Sequence, residues 1–439
     1  MLKQILFALV LLVTLGVFTY TTIKFIALFK LTRKAFPIKN FGKRIGRTLV
    51  VAFGQTRILR KPVLGPMHAM VFWGFCVILI GSVEMLVDGL FGTERVLSFL
   101  GPVYNIIIAS GDIFAFVIFI IIIAFLIRRI FMNIKRFSGV EMTHRSHVDA
   151  NIALSLILLL MVSLQGMNTF YFIEASNSAH GIQGVYPVSK ILSGMFLGLG
   201  GSQVHFLHEI NWWAHILLIF IFANYLPYSK HFHVFMSIPN VFLSNLDPLG
   251  KLANMDSVTK EVRMMMDPNS AFDESEDEEV SRFGVLDVED VSWKNYLDSL
   301  ACTQCGRCTA VCPANITGKK LSPRKIVMDV RSRMKEKGPG LIKQGLDYSD
   351  QKTLLRDYIT PEELWACTTC NACARECPIN INHPSLIIDM RRYLVMEESA
   401  APSELNAIFS NIENNGAPWQ FSQDDRMAWA DELYMNKID

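Results

Sequence analysis

Five long apolar stretches separate the first half of the chain from the second. Each is close to the ~20 residues that an α-helix needs to cross the hydrocarbon of a bilayer. The first stretch is longer than the apolar part of a signal peptide and lacks a small-x-small cleavage site, so we expect it to span as well. The stretches lie at about residues 4–29, 67–88, 104–127, 150–173 and 211–228. This pattern predicts a five-helix transmembrane domain over residues 1–238.

Basic residues are concentrated on one side of this predicted bundle. The loop at 30–61 contains ten lysines and arginines and no acid, and the loop at 128–145 contains five more. Loops rich in lysine and arginine stay in the cytoplasm. We therefore expect a multi-pass protein of the cytoplasmic membrane, with its N-terminus outside and its second half in the cytoplasm. Residues 41–60 mix cations with apolar residues, which predicts either an amphipathic helix along the inner surface or a basic loop that fixes the topology.

An acidic run follows the last apolar stretch. It reads FDESEDEEVSRFGVLDVED at 272–290, within a predicted linker at 239–292. Runs of like charge are typical of solvated tethers, and docking of a basic partner is the alternative.

The second half of the chain contains one cysteine pattern twice. C-x2-C-x2-C-x3-C-P occurs at 302–313 and again at 367–378, and the two runs use every cysteine except Cys76. A [4Fe–4S] cluster needs four thiolates, and in two-cluster ferredoxins the fourth comes from the other run. We therefore predict one cluster on Cys302, Cys305, Cys308 and Cys377, and a second cluster on Cys367, Cys370, Cys373 and Cys312. This ferredoxin-like domain would cover residues 293–398 and precede a C-terminal tail at 399–439.

Two other kinds of cysteine site are alternatives to clusters. Zinc modules use two C-x2-C pairs, and a third cysteine followed by Cys-Pro is not part of that pattern. Disulfides form in oxidising compartments, whereas the basic loops predict that this half is cytoplasmic.

Histidines near the predicted inner surface indicate a haem. His68 lies at the inner end of the second span and His233 follows the fifth, so we predict them as axial ligands of an inner b-type haem. His215 precedes His233 by eighteen residues, which on one continuous helix is five turns and about 27 Å, with both side chains on one face. His215 is therefore a candidate ligand of a second haem, although its partner should come from the second, third or fourth span on the outer side, and no histidine is present there.

Three acids are placed toward the outer side, where a quinol would release protons. Acids at membrane depth are functional candidates, and structural hydrogen bonding is the alternative. They are Glu84, Asp112 and Glu209. The histidines expected before the fifth helix, and not predicted as ligands, are His180, His205 and His208.

The membrane half resembles two families of cytochrome subunits. The five apolar stretches, His68, and the pair His215 and His233 with its Pro-Tyr-Ser-Lys segment are similar to the gamma (cytochrome b) subunit of respiratory nitrate reductase, and more so to the membrane subunit of methanogen heterodisulfide reductase. In the nitrate reductase pattern the second span carries two histidines ten residues apart. Here the second of these positions is Ile78.

The cysteine runs, in ACTQCGRCTAVCPANITGKKLSPRKI and LWACTTCNACARECPINI, are similar to the dicluster segment of the catalytic heterodisulfide reductase subunit and its bacterial relatives. The resemblances imply a mainly α fold, in which a five-helix bundle like the nitrate reductase gamma subunit precedes a cytoplasmic α-helical dicluster ferredoxin domain. Catalytic subunits of that family carry Cys-Cys-Gly motifs, whereas this sequence has no adjacent cysteines. The resemblance therefore implies a partner that holds the terminal active site, either a Cys-Cys-Gly iron–sulfur subunit or an electron-transfer flavoprotein.

The sequence thus predicts a membrane-bound electron-transfer subunit between the quinone pool and a cytoplasmic redox partner, with haem b and two [4Fe–4S] clusters as cofactors. It predicts no nucleic-acid partner and assigns no catalytic residue. One alternative is a membrane-anchored ferredoxin that serves as a docking module without haem or quinone chemistry. Another is an iron–sulfur sensor that regulates a partner through loss of a cluster.

Overall fold

The computed structural model describes residues 1–178, 181–267 and 282–430. Regular secondary structure within these ranges is helical, and no β-strand forms there. His180 and most of the acidic run lie outside the described residues. The predicted mainly α fold is confirmed.

The first half of the chain forms the predicted membrane bundle. Five of its helices are long and apolar enough to cross a membrane, namely those that begin at Leu2, Leu64, Pro102, His144 and Gly201. The predicted number of spanning helices is therefore confirmed, and the chain is a membrane protein. The helices are α1 (Leu2–Lys30), α2 (Phe41–Thr48), α3 (Leu64–Phe91), α4 (Pro102–Phe131), α5 (His144–Ser176), α6 (Pro187–Ser193), α7 (Gly201–Tyr225) and α8 (His233–Phe242).

Aromatic packing joins the N-terminal helix to the rest of the bundle. The fully buried ring of Phe7 lies 5.8 Å from that of Trp212 and 6.1 Å from that of Phe220. Gly89 on α3 permits this packing, because a Cβ there would lie 2.7 Å from the Phe7 ring. Aromatic pairs at such distances stabilise a core beyond their buried area.

Helix α7 begins ten residues earlier than the apolar stretch predicts, at Gly201 instead of residue 211. His205 and His208 therefore lie on the helix and not before it, so their predicted placement is wrong. The first turns of α7 precede the apolar part of the span and contain polar residues. A hydropathy pattern detects only the apolar part, so it misses these turns.

Helix α7 also ends before His233. Its last residue is Tyr225, and a 3₁₀ turn with Pro227 follows before the chain becomes extended at Ser229. Proline has no N–H for the helical ladder and clashes with the preceding turn, which stops the helix. His215 and His233 do not share one helix, and the prediction that both point from one continuous face is wrong.

The basic segment at 41–60 is helical over a shorter length than predicted. α2 continues as a single π-helical stretch that ends at Phe53. Arg44 is buried and donates to the carbonyl of Ser244 over 2.8 Å, whereas the apolar side chain of Leu49 is exposed. The cationic side of this amphipathic helix therefore faces the protein, next to α8.

The second half forms nine short helices in the described residues. They are α9 (Asp256–Met266), α10 (Trp293–Ala301), α11 (Arg307–Ala310), α12 (Pro313–Ile316), α13 (Pro323–Gln344), α14 (Pro361–Trp365), α15 (Ala372–Glu376), α16 (His383–Met396) and α17 (Ser403–Asn415). Residues 1–252 and 287–385 form one compact unit, which contains both the membrane helices and the cysteine runs. Residues 253–286 and 386–439 form the other, in which the backbone N–H of Val285 donates to the carbonyl of Asp389 over 3.0 Å.

The end of the predicted acidic linker is not a solvated tether. Asp287 is 1% exposed and accepts hydrogen bonds from Arg333 (Nη2 to Oδ2, 2.8 Å) and Lys337 (Nζ to Oδ2, 2.9 Å). A buried carboxylate must be paired and hydrogen-bonded, and two cations of α13 meet that requirement. The expectation of a solvated linker is therefore wrong at this end.

Candidate metal centres

The two cysteine loops share one backbone conformation. In the first, Gln304 and Gly306 have positive φ angles of 58° and 72°, and in the second the equivalent Thr369 and Asn371 have 53° and 59°. Left-handed residues reverse the direction of the chain within a few residues. Each loop thus curls in the same way and leads into a short helix, α11 or α15.

The fourth cysteine of the second run joins the first loop. Cys377 packs against Cys302 in one buried cluster. Burial raises the pKa of the Cys377 thiol, and the neighbouring Cys305 and Cys302 raise it further. Burial likewise raises the pKa of Cys308 well above its usual value, with added effects from Cys305, Cys302 and Cys377. These four thiols are the predicted ligands of the first cluster.

The fourth cysteine of the first run joins the second loop in the same way. Burial raises the pKa of Cys373 to about 12, and Cys367, Cys312 and Cys370 are among the nearby thiols that raise it. The pKa of Cys312 is raised by burial and also by Cys367 and Cys370. The backbone N–H of Thr369 donates to Sγ of Cys367 over 3.4 Å. Hydrogen bonds to sulfur are one way in which proteins set the potential of an iron–sulfur cluster.

Each cysteine set supplies the four thiols that a [4Fe–4S] cluster needs. All eight thiols are free of disulfides. Within the described ranges, no three His, Cys, Asp or Glu side chains are close enough to share a single metal ion. The corners of a [4Fe–4S] cube are four different irons, so each thiolate there binds its own iron.

The first cysteine set lies against the basic loop between α1 and α3. Nη1 of Arg57 donates to the backbone carbonyl of Cys377 over 2.8 Å, and Nη1 of Arg60 donates to the carbonyl of Arg375 over 3.1 Å. Lys61 pairs with Glu376 at 3.5 Å. The cations of this loop therefore bind the backbone and a side chain of the second cysteine run. The sequence predicted only that they fix the membrane topology, and it did not predict these contacts.

The loop between α4 and α5 contacts the first cysteine loop from another direction. Arg324, at the start of α13, is 1% exposed and donates to the carboxylate of Glu141 over 2.8 Å and to the carbonyl of Arg136 over 2.7 Å. Gly306 lies directly beside this loop, since a Cβ on it would be 2.4 Å from the Arg136 carbonyl oxygen. Neither contact has a signal in the sequence, because they join residues about 170 to 190 positions apart.

His68 and His233 come together at the end of the bundle that faces the cysteine loops. Burial lowers the pKa of His233 to about 3, and the nearby His231 and His68 lower it further. Both rings are half-buried, and Nδ1 of His68 has no hydrogen-bond partner among the described residues. A neutral imidazole with an uncommitted nitrogen is what ligation of a metal requires. The residues present therefore fit a haem iron held by His68 and His233.

His231 is a third histidine at this site, and the sequence does not predict it as a ligand. Its ring lies 5.8 Å from that of His233, and burial lowers its pKa to about 4. Its Nδ1 is 3.3 Å from the hydroxyl of Ser229. The break after Tyr225 brings His231 here, since a continuous helix would direct it to another face.

His215 lies deep in the bundle and away from this site. It is 1% exposed, with Nδ1 3.0 Å from the Leu160 carbonyl and 3.0 Å from the Ser163 hydroxyl. The side chains of His205 and His208 instead meet Glu174, with Nδ1 to carboxylate distances of 2.9 and 3.5 Å.

The three acids predicted as functional candidates are engaged in hydrogen bonds or ion pairs. Asp112 is fully buried and accepts from the backbone N–H groups of Val188 (2.8 Å) and Ser189 (3.0 Å). Glu84 accepts from the Tyr104 hydroxyl over 3.2 Å. Glu209 pairs with Lys3 at 2.5 Å.

Comparisons with known proteins agree with the cysteine chemistry. Residues 301–381 match the 4Fe-4S dicluster domain family. The chain is 30% identical, over 98% of its length, to a probable iron–sulfur-binding oxidoreductase, FadF, of Bacillus subtilis, and covers 61% of that protein. It is 27% identical, over 90% of its length, to an EtfAB:quinone oxidoreductase of Syntrophomonas wolfei, and covers 54% of it. The chain thus spans between half and two thirds of these relatives.

A shorter similarity supports part of the resemblance stated from the sequence. One subunit of a ferredoxin/F420H2-dependent CoB-CoM heterodisulfide reductase of Methanosarcina acetivorans is 34% identical over 24% of this chain and 52% of its own length. The relatives are thus iron–sulfur oxidoreductases, a membrane-anchored ferredoxin and heterodisulfide reductase subunits. No solved structure matches the chain.

Proposed function

We propose that this chain is a membrane-bound electron-transfer subunit that links the quinone pool to a cytoplasmic redox partner. Residues 1–238 would hold a b-type haem through His68 and His233. Residues 293–398 would hold two [4Fe–4S] clusters through the crossed cysteine sets, after a linker at 239–292 and before a tail at 399–439. When bound, such haem irons and clusters take up and release electrons.

The main support is the way in which the first cysteine set is joined to both sides of the histidine pair. Arg57, eleven residues before His68, donates to the carbonyl of Cys377. Arg331 on α13 lies near Cys302, and burial lowers its pKa despite that neighbour. It donates to the carbonyl of Ser229 over 2.9 Å, four residues before His233. The segments that precede the two histidines therefore lie beside the first cysteine set, one bound directly to Cys377 and the other through Arg331.

The second cysteine set has the exposure that a docking partner requires. Cys370 is exposed, and Thr368 and Thr369 beside it are exposed as well, whereas all ligands of the first set are buried or half-buried. We infer that the redox partner docks at this loop. The partner would be an electron-transfer flavoprotein, in line with the name of the Syntrophomonas relative, or a Cys-Cys-Gly iron–sulfur subunit, as the sequence resemblance implies.

We further propose that the cysteine half lies in the cytoplasm and the N-terminus outside. The basic loops at 30–61 and 128–145 support this orientation through the excess of lysine and arginine typical of cytoplasmic loops. A reducing compartment also suits eight thiols that must stay free until iron is inserted.

Anaerobic purification in detergent, followed by reduced-minus-oxidised spectra and assays of haem and iron, tests the proposal. We expect one b-type haem and about eight non-haem irons, as two cubanes require. His68→Ala and His233→Ala should each lose the haem and keep the iron. His231→Ala is the matched control and should keep both.

Two results would contradict the proposal. Iron without haem in the wild-type protein would leave a membrane-anchored ferredoxin that serves as a docking module. Loss of haem in His231→Ala, with haem retained in His233→Ala, would show that the ligand assignment is wrong.

A further inference from the structure

A cavity lies inside the bundle, at a distance from the cysteine loops. It has an empty volume of about 450 Å³, which includes the space at its open side, and residues of α3, α4, α5 and α7 line it. Ile78 in its wall follows His68 by ten residues on α3, a rise of about 15 Å along the helix. Small-molecule sites are mostly apolar with few polar groups, and the wall of this cavity has that character.

One buried polar atom in the wall of this cavity lacks a partner. His215 lines the cavity, and its Nε2 makes no hydrogen bond to any described residue. Leaving a buried polar atom without a hydrogen bond costs free energy, so an atom of this kind in a cavity wall indicates a missing ligand group.

The hydrogen bonds of the other ring nitrogen define what this ligand group must be. The hydroxyl of Ser163 donates to the Leu160 carbonyl over 3.0 Å, so its oxygen accepts from Nδ1 of His215. Nδ1 also lies 3.0 Å from the same carbonyl, which has no proton to give. Nδ1 therefore carries the proton, and Nε2 presents a lone pair to the cavity. The missing group is a hydrogen-bond donor.

The remaining polar side chains of the cavity wall are already engaged. Asp112 accepts from α6 and from Gln165 (3.0 Å). Arg95 lies over the ring of Tyr171 at 4.3 Å and faces the carboxylate of Glu84 at 3.9 Å. The rest of the wall is largely apolar. It includes Gly81 on α3, which is half-buried. The site thus favours an apolar molecule that carries a hydrogen-bond donor such as a hydroxyl group.

We infer that this cavity binds the headgroup of a quinol, with a hydroxyl of the quinol donating to Nε2 of His215. The inference rests on the proposed quinone-linked function and names the site for its substrate. A quinone has carbonyl oxygens and no donor, so the reduced form binds more tightly than the oxidised form. A second haem on His215 does not fit as well, because Ile78 stands where the resembling cytochromes have a second histidine on this helix.

Binding of substituted naphthalenes to the whole chain in detergent, measured without air, tests this site without requiring haem or clusters. The probe is 4-methoxy-1-naphthol, which has one hydroxyl, and its control is 1,4-dimethoxynaphthalene, which has none. We expect the naphthol to bind about tenfold more tightly, as one net hydrogen bond allows. His215→Phe should abolish this preference.

Two glycines provide a second test that leaves His215 intact. A Cβ on Gly81 or on Gly16 would have no other heavy atom within 4 Å, so both positions have room for a side chain. Gly81 lines the cavity, whereas Gly16 on α1 does not. Gly81→Leu should remove naphthol binding, and Gly16→Leu, the matched control, should leave it unchanged.

Three outcomes would overturn the inference. They are equal binding of both naphthalenes to the wild-type protein, naphthol binding that survives Gly81→Leu, and loss of a haem from His215→Phe. If, in addition, the wild-type haem is still reduced by 2-methyl-1,4-naphthoquinol, the quinol site lies elsewhere and the proposed function stands. Absence of that reduction contradicts the proposed function, whatever the naphthalenes do.

Discussion

Replacing Arg324 by methionine should loosen the loop between α4 and α5 from the cysteine half. The guanidinium is 1% exposed and its partner carboxylate on Glu141 is 4% exposed. It also binds the carbonyls of Arg136 (2.7 Å) and Ser138 (2.9 Å). Methionine keeps much of the volume but leaves the Glu141 carboxylate buried without its cation.

The expected cost follows from the burial of this pair. Removing one partner of a buried ion pair costs about 3–5 kcal/mol, because the remaining charge is left without compensation. At 1.36 kcal/mol per factor of ten, opening of the loop should become more frequent by about two to nearly four orders of magnitude. Lys320→Met is the matched control: Lys320 pairs with Glu362 at 2.6 Å, but both side chains are more than 60% exposed. Exposed pairs contribute about 0–1 kcal/mol.

Native-state proteolysis measures this opening directly. The loop at 132–143 contains Lys135 and Arg136, after which trypsin cleaves, and the Arg136 carbonyl is held by Arg324 in the closed state. When opening is fast relative to cleavage, the cleavage rate reports the equilibrium population of the open form. A rate in Arg324→Met that differs from that in Lys320→Met by less than fivefold would refute the reasoning.

The pH dependence of this defect has a definite sign. Burial alone would raise the pKa of Glu141, but the hydrogen bond from Ser322 and the charge of Arg324 hold it below its usual value. In the wild-type protein the carboxylate therefore adds stability above its unfolded-state pKa, and this is lost as the pH falls. Without Arg324, burial dominates and the pKa rises. The ratio of variant to wild-type cleavage should then be smaller at pH 5 than at pH 8, and Glu141→Gln should partly rescue Arg324→Met at pH 8.

Three further predictions concern the cysteine half. Gly306→Ala should lower the yield of protein with intact clusters, because φ is +72° and the new Cβ would lie 2.4 Å from a backbone oxygen. Gly16→Ala, the control, should leave that yield unchanged. The amount of non-haem iron per chain measures the yield. Asp287→Asn should lower the midpoint of thermal unfolding by several degrees, because it weakens a buried carboxylate site for two cations. After removal of iron under reducing conditions, Cys370, which is exposed, should be alkylated before the buried Cys302, as peptide mass spectrometry would show.

The sequence predicts the parts of this fold that depend on composition and local spacing. Five spans can be read from hydropathy. Only helices and closed barrels satisfy the backbone hydrogen bonds inside a bilayer, so each helical span is one long apolar stretch of the sequence. The dicluster domain follows from cysteine spacing, since three thiolates of one cube come from one short loop. Both predictions require only residues that are near one another in the chain.

The features that the sequence does not predict depend on contacts between distant residues or on the end of one helix at a proline. Pro227 ends α7 and changes the direction of the chain before His233, which brings His231 to the candidate haem site. Arg57 lies 320 residues from the cysteine whose carbonyl it binds. No local pattern separates such an arginine from its neighbours in a basic loop.

The contacts of the basic loops also constrain topology independently of their charge. Arg33 in the first loop pairs with Asp290, and Arg57 in the same loop binds Cys377. Arg324 binds the loop between α4 and α5. These contacts place both loops beside the cysteine half, which supports the orientation proposed above. If one of these loops alone were moved to the other side of the membrane, its hydrogen bonds to the cysteine half would be lost.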